Sequence, residues 1–264
     1  MTDTGRIVAV TGASSGIGLA AARLFRDRGD KVYCLSRTDP KEPGITFIHT
    51  DVTDEASVNA AFGAIGKAEG RIDVLLSNAG IGVSGAAECT TMQDAKRQLD
   101  VNFFGLHACV RAAVPLMRAH GGTILATSSV AAVFAIPFQA FYSASKFAVN
   151  ALVLALANEL KPFNIRVAAI MPGDVKTGFT GARIKAEDDD NYGQSIEKSV
   201  AVMERDEQNG MGPEMIAKRF VALSLKKHPK VLSTVGLQYK FFCFLGKVLP
   251  IRLQNFIVGK MYIK

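Results

Sequence analysis

Ile7-Val-Ala-Val-Thr11-Gly-Ala-Ser-Ser-Gly16-Ile-Gly18-Leu-Ala-Ala-Ala-Arg23-Leu-Phe-Arg-Asp-Arg28 decides the fold of this 264-residue chain. The run Ile7–Val10 is apolar without alternation, as expected of a parallel strand buried on both faces. Leu19 to Arg28, with three consecutive alanines, reads as a helix. The glycines between them let the backbone turn tightly and approach a pyrophosphate, whose charge the helix N-terminus meets. Their spacing is Gly-x-x-x-Gly-x-Gly rather than the commoner Gly-x-Gly-x-x-Gly, so the strand before and the helix after carry the reading.

Working outward, strands are expected near residues 6–10, 31–36, 45–49, 73–77, 121–128, 164–171 and 231–235. Helices are expected near 16–28, 54–69, 91–118, 141–161 and 213–226. This alternation predicts an α/β fold: a doubly wound parallel sheet (Rossmann fold) of about seven strands, with right-handed crossovers and helices on both faces. Such a sheet binds ligands at the carboxyl ends of its strands. Gly12, Asn78, Ser129 and Pro172 each follow one of those ends and should share one cleft. Residues 1–264 read as a single domain, with 226–264 as a basic, apolar C-terminal extension of it.

Composition agrees. An apolar content of 48% supports a large core. The start, Met1-Thr-Asp-Thr-Gly5, is polar and leads directly into a strand, so no secretory signal is expected. Cys34, Cys89, Cys109 and Cys243 are scattered, as are His49, His107, His120 and His228. Free thiols in a reducing cytosol and no metal site follow. A cytoplasmic protein is expected.

Tyr142 and Lys146 lie four residues apart, on one face of a helix, and Ser129 precedes the tyrosine by thirteen residues. A phenol near pKa ~10 is a poor acid or base at neutral pH. A neighbouring ammonium stabilises the phenolate and so suits the tyrosine to proton transfer, while a serine hydroxyl holds the oxygen that exchanges the proton. A lone Tyr-x-x-x-Lys is weak evidence; it gains weight from the glycine turn.

With these motifs in order (Thr11 to Gly18, Asp51-Val52, Ser77-Asn-Ala-Gly80, Asn102, Ser128-Ser129, Tyr142-x-x-x-Lys146 and Pro172-Gly173) the chain resembles the short-chain dehydrogenase/reductase family from about Arg6 to Thr180. It departs at Ser77, where the family usually has Asn, and at Ala132, where Gly is frequent. The resemblance implies hydride transfer between a nicotinamide and a carbonyl/alcohol pair. Tyr142 would exchange the proton, Lys146 would lower its pKa and hold the nicotinamide ribose, Ser129 would position the substrate oxygen, and Asn102 would hold a water of a proton relay. A polar residue tucked against backbone is the plainer reading of Asn102. The implied cofactor contacts are Gly12, Ser14, Ser15, Gly16, Ile17 and Gly18 of the turn, Asp51 and Val52 beside the adenine, and Asn78, Ala79 and Gly80. Tyr142 and Lys146 join them, with Pro172, Gly173, Val175 and Thr177 at the nicotinamide and phosphate. Asp51 serves equally as a cap for the helix starting near Asp54.

At the end of the second strand an acid hydrogen-bonds a ribose 2′-hydroxyl, whereas an arginine accommodates a 2′-phosphate. Here Ser36 stands where the acid would be, followed by Arg37, whose planar fork suits phosphate. Ser15 is placed to add a third bond. NADP(H) is expected over NAD(H); the alternative leaves Arg37 as a solvated charge.

The segment 179–212 usually selects the substrate in the family, and its acidic runs Glu187–Asp190 and Glu204-Arg-Asp-Glu207 read as a solvated face. Val130–Phe138 is strongly apolar and holds no arginine for a carboxylate. A small apolar ketone or secondary alcohol, steroid- or lipid-like, follows, unless Val133, Phe134 and Ile136 merely pack into the core. Ser128 to Thr177 also resembles 17β-hydroxysteroid dehydrogenases. Two alternatives stay open: a 3-oxoacyl-(acyl carrier protein) reductase-like enzyme, and a non-catalytic cofactor-sensing scaffold, against which the intact Ser-Tyr-Lys set argues. A homo-oligomer, dimer or tetramer, is expected.

The formal net charge is +7, yet Lys226 to Lys264 holds eight Lys and Arg and no Asp or Glu, leaving the preceding residues at −1. Interleaved aromatics make this tail either a peripheral membrane contact or a lid or dimer contact. No uncharged run there approaches the roughly 20 residues that span a bilayer. Nothing resembles a nucleic-acid-binding module.

Overall fold

The computed structural model describes residues 5–179, 181–186 and 190–263. Thr180, Met1–Thr4, Lys264 and most of the Glu187–Asp190 run, on which some of the expectations fall, lie outside the described residues. In chain order the elements are β1 (Ile7–Thr11), α1 (Gly16–Asp27), β2 (Lys31–Ser36), β3 (Ile45–His49), α2 (Glu55–Glu69), β4 (Val74–Ser77), β5 (Val83–Ser84), α3 (Met92–Leu99), α4 (Gly105–Met117), β6 (Gly122–Thr127), α5 (Ala140–Glu159), β7 (Ile165–Met171), β8 (Ile184–Lys185), α6 (Ser195–Gln208), α7 (Pro213–Ser224), β9 (Leu232–Thr234), α8 (Leu237–Val248) and α9 (Ile251–Tyr262).

Seven parallel strands pair in the order β3-β2-β1-β4-β6-β7-β9. Side chains alternate between two cores, as strand geometry requires. Ile7, Ala9, Tyr33, Leu35, Val167 and Ala169 face the layer of α2, α4 and α5. Val8, Val10, Val32, Cys34, Ala168 and Ile170 face that of α1 and α7, where Phe25 and Phe220 are fully buried. Burial on both faces is why these strands read as unbroken apolar runs. The expected Rossmann architecture is what forms.

The order in which strands are added reverses between β1 and β4, the switch point at which doubly wound sheets bind ligands. One side chain joins the two strand ends: the Thr11 hydroxyl accepts from Asn78 N–H at 2.9 Å and from Ala79 N–H at 3.1 Å.

Some elements differ from the sequence expectation. The helix expected over 91–118 is interrupted at Asp100–Phe104 by one wide π turn. A small parallel pair, β5 with β8, ties the loop after β4 to the segment after β7. Helix α6 was not expected in its polar stretch, and it buries Ile196, Val200 and Met203. Asp54, not Asp51, caps α2, its side chain accepting from Ala56 N–H at 2.9 Å.

Candidate active site

A cavity of about 1090 Å³ runs along the carboxyl ends of the strands. Gly12, Ser14, Ser15, Gly16, Ile17, Arg37, Asp51, Val52, Asn78, Ala79 and Gly80 line one end, and Pro172, Gly173, Val175 and Thr177 lie beyond them. Ser129, Tyr142 and Lys146 stand at the junction with an apolar half. Gly18 and Asn102 lie behind the wall.

The glycine turn is a cradle that side chains would fill. Gly12 and Gly16 adopt φ of +64° and +56°, where other residues are strained. A Cβ on Gly12 would sit 2.8 Å from Ala79 Cα, and one on Gly18 would sit 2.4 Å from Gly12 O. Gly18 therefore lets α1 pack onto the turn. Helix α1 starts with no side-chain cap on its N–H groups and no acid in its first turn, so these donors are free for an anion. Thr177 reaches across, its side chain 3.4 Å from where a Cβ on Gly16 would sit. These residues fit a dinucleotide pyrophosphate.

Ser36 is turned inward, its hydroxyl donating to Thr38 O at 2.7 Å, while Arg37 is exposed at the cavity rim. Burial works against the Asp51 carboxylate. Bonds from the Thr53 N–H (2.9 Å) and hydroxyl (2.7 Å), with Arg37 and His49 nearby, nevertheless hold it below the usual range.

Asn78 is a strut. Its Nδ2 donates to Gly12 O at 3.3 Å, and its Oδ1 accepts from the Thr127 hydroxyl at 3.0 Å. Asn102, buried in the π turn, has a structural role in its side-chain bonds. Its Oδ1 accepts from Ile81 N–H at 2.8 Å, and its Nδ2 donates to Ile81 O at 3.1 Å and to the Ser145 hydroxyl at 3.0 Å. Ser145 in turn donates to Tyr142 O at 2.7 Å. Asn102 thus props the turn of α5 that carries the tyrosine.

Helix α5 brings Tyr142 and Lys146 together as their spacing predicts, Lys146 Nζ lying 5.6 Å from the phenol ring centroid. Lys146 Nζ donates to Thr127 O at 2.9 Å. Burial pulls this ammonium down to about 8. Burial also pushes the Tyr142 phenol up to about 12, against the opposing hydrogen bond of the Ser129 hydroxyl. Desolvation thus sets the direction for the phenol, opposite to the lowering expected from its spacing to Lys146, and Tyr142 holds its proton at neutral pH. Ser129 also accepts from Ala131 N–H at 3.1 Å, which fixes its direction.

The segment after β7 contradicts its reading as a wholly solvated face. Arg183 is buried, donates to Glu207 Oε1 at 2.5 Å and lies 5.9 Å from the ring of Phe179, which itself leans on Tyr142. Asp206 and Glu207 line the cavity. No periodicity in the sequence reveals this ion pair.

Helices α8 and α9 wall off the apolar half. Tyr239 presses so closely on Gly173 that a Cβ there would meet its ring at 2.0 Å. Gly246 lets α8 pack against Val133 and Phe134. Phe242, Leu245, Leu249, Ile257 and Met261 line the cavity opposite Phe134, Ile136 and Met203. The apolar wall of Val130–Phe138 is thus cavity lining at Phe134 and Ile136. Among the described residues no group of His, Cys, Asp and Glu could hold a metal.

Residues 6–188 match the short chain dehydrogenase family. A 3-ketodihydrosphingosine reductase of Bacteroides thetaiotaomicron is 39% identical over 236 residues, 88% of each chain. Mouse 17-beta-hydroxysteroid dehydrogenase type 1 is 38% identical over 66% of this chain and 55% of its own. The crystal structure of a short-chain dehydrogenase from Streptomyces avermitilis superimposes with a TM-score of 0.86 at 26% identity, covering 98% of each chain. The chain belongs to the short-chain dehydrogenase/reductase family, oxidoreductases that bind a nicotinamide cofactor and act on CH–OH and C=O groups of small substrates.

Proposed function

We propose that this protein is an NADPH-dependent reductase of an apolar, lipid-like ketone. The observation that carries the reading is the continuity of the cavity: a phosphate cradle at one end, a chamber walled by α8 and α9 at the other, and Tyr142 at their junction. When bound, the nicotinamide supplies the hydride. Everything else falls to the chain's own residues. Ser129 holds the substrate oxygen, and the protonated Tyr142 phenol donates to it. Lys146, anchored by Thr127 O, binds the ribose and stabilises the phenolate that donation leaves. Asn102 fixes the tyrosine's turn and, on this reading, a relay water. The cofactor is held by the glycine turn, Asp51-Val52, Asn78–Gly80 and Pro172–Thr177. Arg37 is the choice of 2′-phosphate over hydroxyl, so NADP(H) is placed ahead of NAD(H).

The whole chain acts as one domain, cytoplasmic and homo-oligomeric, with its C-terminal extension in peripheral contact with a membrane. The chamber suits an alkyl chain, and the name of the Bacteroides relative, a 3-ketodihydrosphingosine reductase, agrees with that substrate class. The test is turnover with NADPH and NADH on long-chain 3-ketones, steroids and carrier-bound 3-oxoacyl groups. Fast NADPH-dependent reduction of the long-chain ketones is expected. Preference for the carrier-bound substrates, or turnover on none, would replace this reading.

A further inference from the structure

The two C-terminal helices have a second face that the cavity does not use. Tyr239, Cys243 and Val258 are buried under the hairpin, whereas Phe241, Phe244, Ile251 and Phe256 point away from the protein with 57%, 58%, 74% and 62% of their surface exposed. Such aromatic and branched residues bury readily, and a patch of them on one hairpin marks a surface that meets something.

Charge says what. Lys240, Lys247, Arg252 and Lys260 are exposed on the same two helices, and no carboxylate occurs in the sequence from Lys226 onward. A second copy of this chain would bring the same basic face against itself, and like-charge juxtaposition across an interface is costly. An anionic bilayer instead attracts the basic side chains through its surface potential and accepts the apolar ones at the headgroup level. Two short helices turning at Pro250 lie on such a surface; neither is long enough to cross it.

We infer that the outer face of α8 and α9 docks on an anionic lipid surface, so that the wall of the substrate chamber is itself the membrane contact. Phe241 faces outward while its neighbour Phe242 lines the cavity, and in the same way Ile257 and Met261 line the cavity directly after the outward Phe256 and Lys260 in sequence. A lipid-like ketone would then pass from the bilayer between or beneath these helices without crossing water. This passage rests on the substrate reading proposed above; the docking itself does not.

The test uses the full chain and vesicles of phosphatidylcholine with or without phosphatidylglycerol. Cosedimentation with the anionic vesicles at low salt is expected, weakening as salt is raised because surface electrostatics are screened. The triple variant Lys240→Gln, Lys247→Gln, Arg252→Gln should bind roughly 100-fold less tightly, at about fivefold per basic residue. Phe241→Ser with Phe244→Ser should also release the protein. Both variants should bind NADPH as the unaltered protein does, measured by nucleotide fluorescence, which shows that they fold. Failure of the intact protein to bind anionic vesicles, or a change in oligomeric mass in the variants in place of lost vesicle binding, would overturn the inference. Neither readout needs turnover, so a wrong substrate and a wrong membrane face give different results.

Discussion

Tyr239 of α8 hydrogen-bonds Asp174 twice: its hydroxyl donates to Asp174 Oδ2 at 2.6 Å and accepts from Asp174 N–H at 3.0 Å. Asp174 lies in the loop that follows β7, beside Gly173. A helix near the C-terminus is thereby clamped to the loop expected to hold the nicotinamide. Burial pushes the Asp174 carboxyl up and the Tyr239 phenol up to about 12, so each needs the other. Tyr239→Phe removes one hydroxyl and strands a part-buried carboxylate and an N–H, at a cost of about 1–3 kcal/mol. The thermal midpoint should fall by about 2–4 °C per kcal/mol, and KM for an apolar ketone should rise. An unchanged midpoint would mean the clamp contributes nothing.

Tyr142→Phe removes the proton donor while keeping the ring that packs against Phe179. NADPH binding should persist and kcat should fall by roughly 10²-fold or more. Near-normal turnover would transfer the proton to another group.

The pH dependence follows from burial. The unfolded chain protonates Lys146 near its ordinary 10.5, whereas the folded one does so at about 8. Between those values the unfolded state binds the extra proton, so this group's contribution to stability improves as pH rises through the window and opposes folding below it. Tyr142 behaves oppositely. Its raised value of about 12 means its contribution is full below its ordinary 10 and is lost as pH rises toward 12. For catalysis, loss of the Lys146 charge should give kcat/KM for reduction a basic limb near 8 in the free enzyme. Lys146→Arg, which stays charged, should move that limb upward even if the rate is low. A limb that does not move belongs to another residue.

The sequence makes the nucleotide half legible because its signals are local. Thr11 to Gly18 must turn where it does, and unbroken apolar strands can only lie between two helical layers. Tyr142 and Lys146 are four apart on one helix, so their meeting is written in the numbering. The substrate half is not local. Arg183 meets Glu207 across 24 positions and Tyr239 meets Asp174 across 65, and neither pair has a periodic signature. Helix α6 hides because its buried stripe is short and its other faces are charged. Burial also reverses the simple expectation for the phenol, since desolvation of a site depends on the fold around it rather than on the residue four places along.

Arg37 offers the sharpest test of cofactor choice. Its backbone follows β2, its side chain is exposed at the cavity rim, and its neighbour Ser36 spends its hydroxyl on Thr38 O. The last position of β2 therefore carries a serine where a carboxylate would repel a 2′-phosphate, and Arg37 is the cation nearest that position in sequence. A charge-assisted bond to phosphate contributes about 1.5–3 kcal/mol. Arg37→Ala should thus weaken NADPH binding by roughly tenfold to a hundredfold, while NADH, which has only a hydroxyl there, should change little. Replacing Ser36 by Asp should compound the loss for NADPH and improve NADH, because a carboxylate accepts from the 2′-hydroxyl and repels the phosphate. Titration of both variants with both nucleotides by fluorescence decides it. Equal losses for the two cofactors in Arg37→Ala would show that Arg37 does not read the phosphate, and the preference for NADP(H) would fall with it.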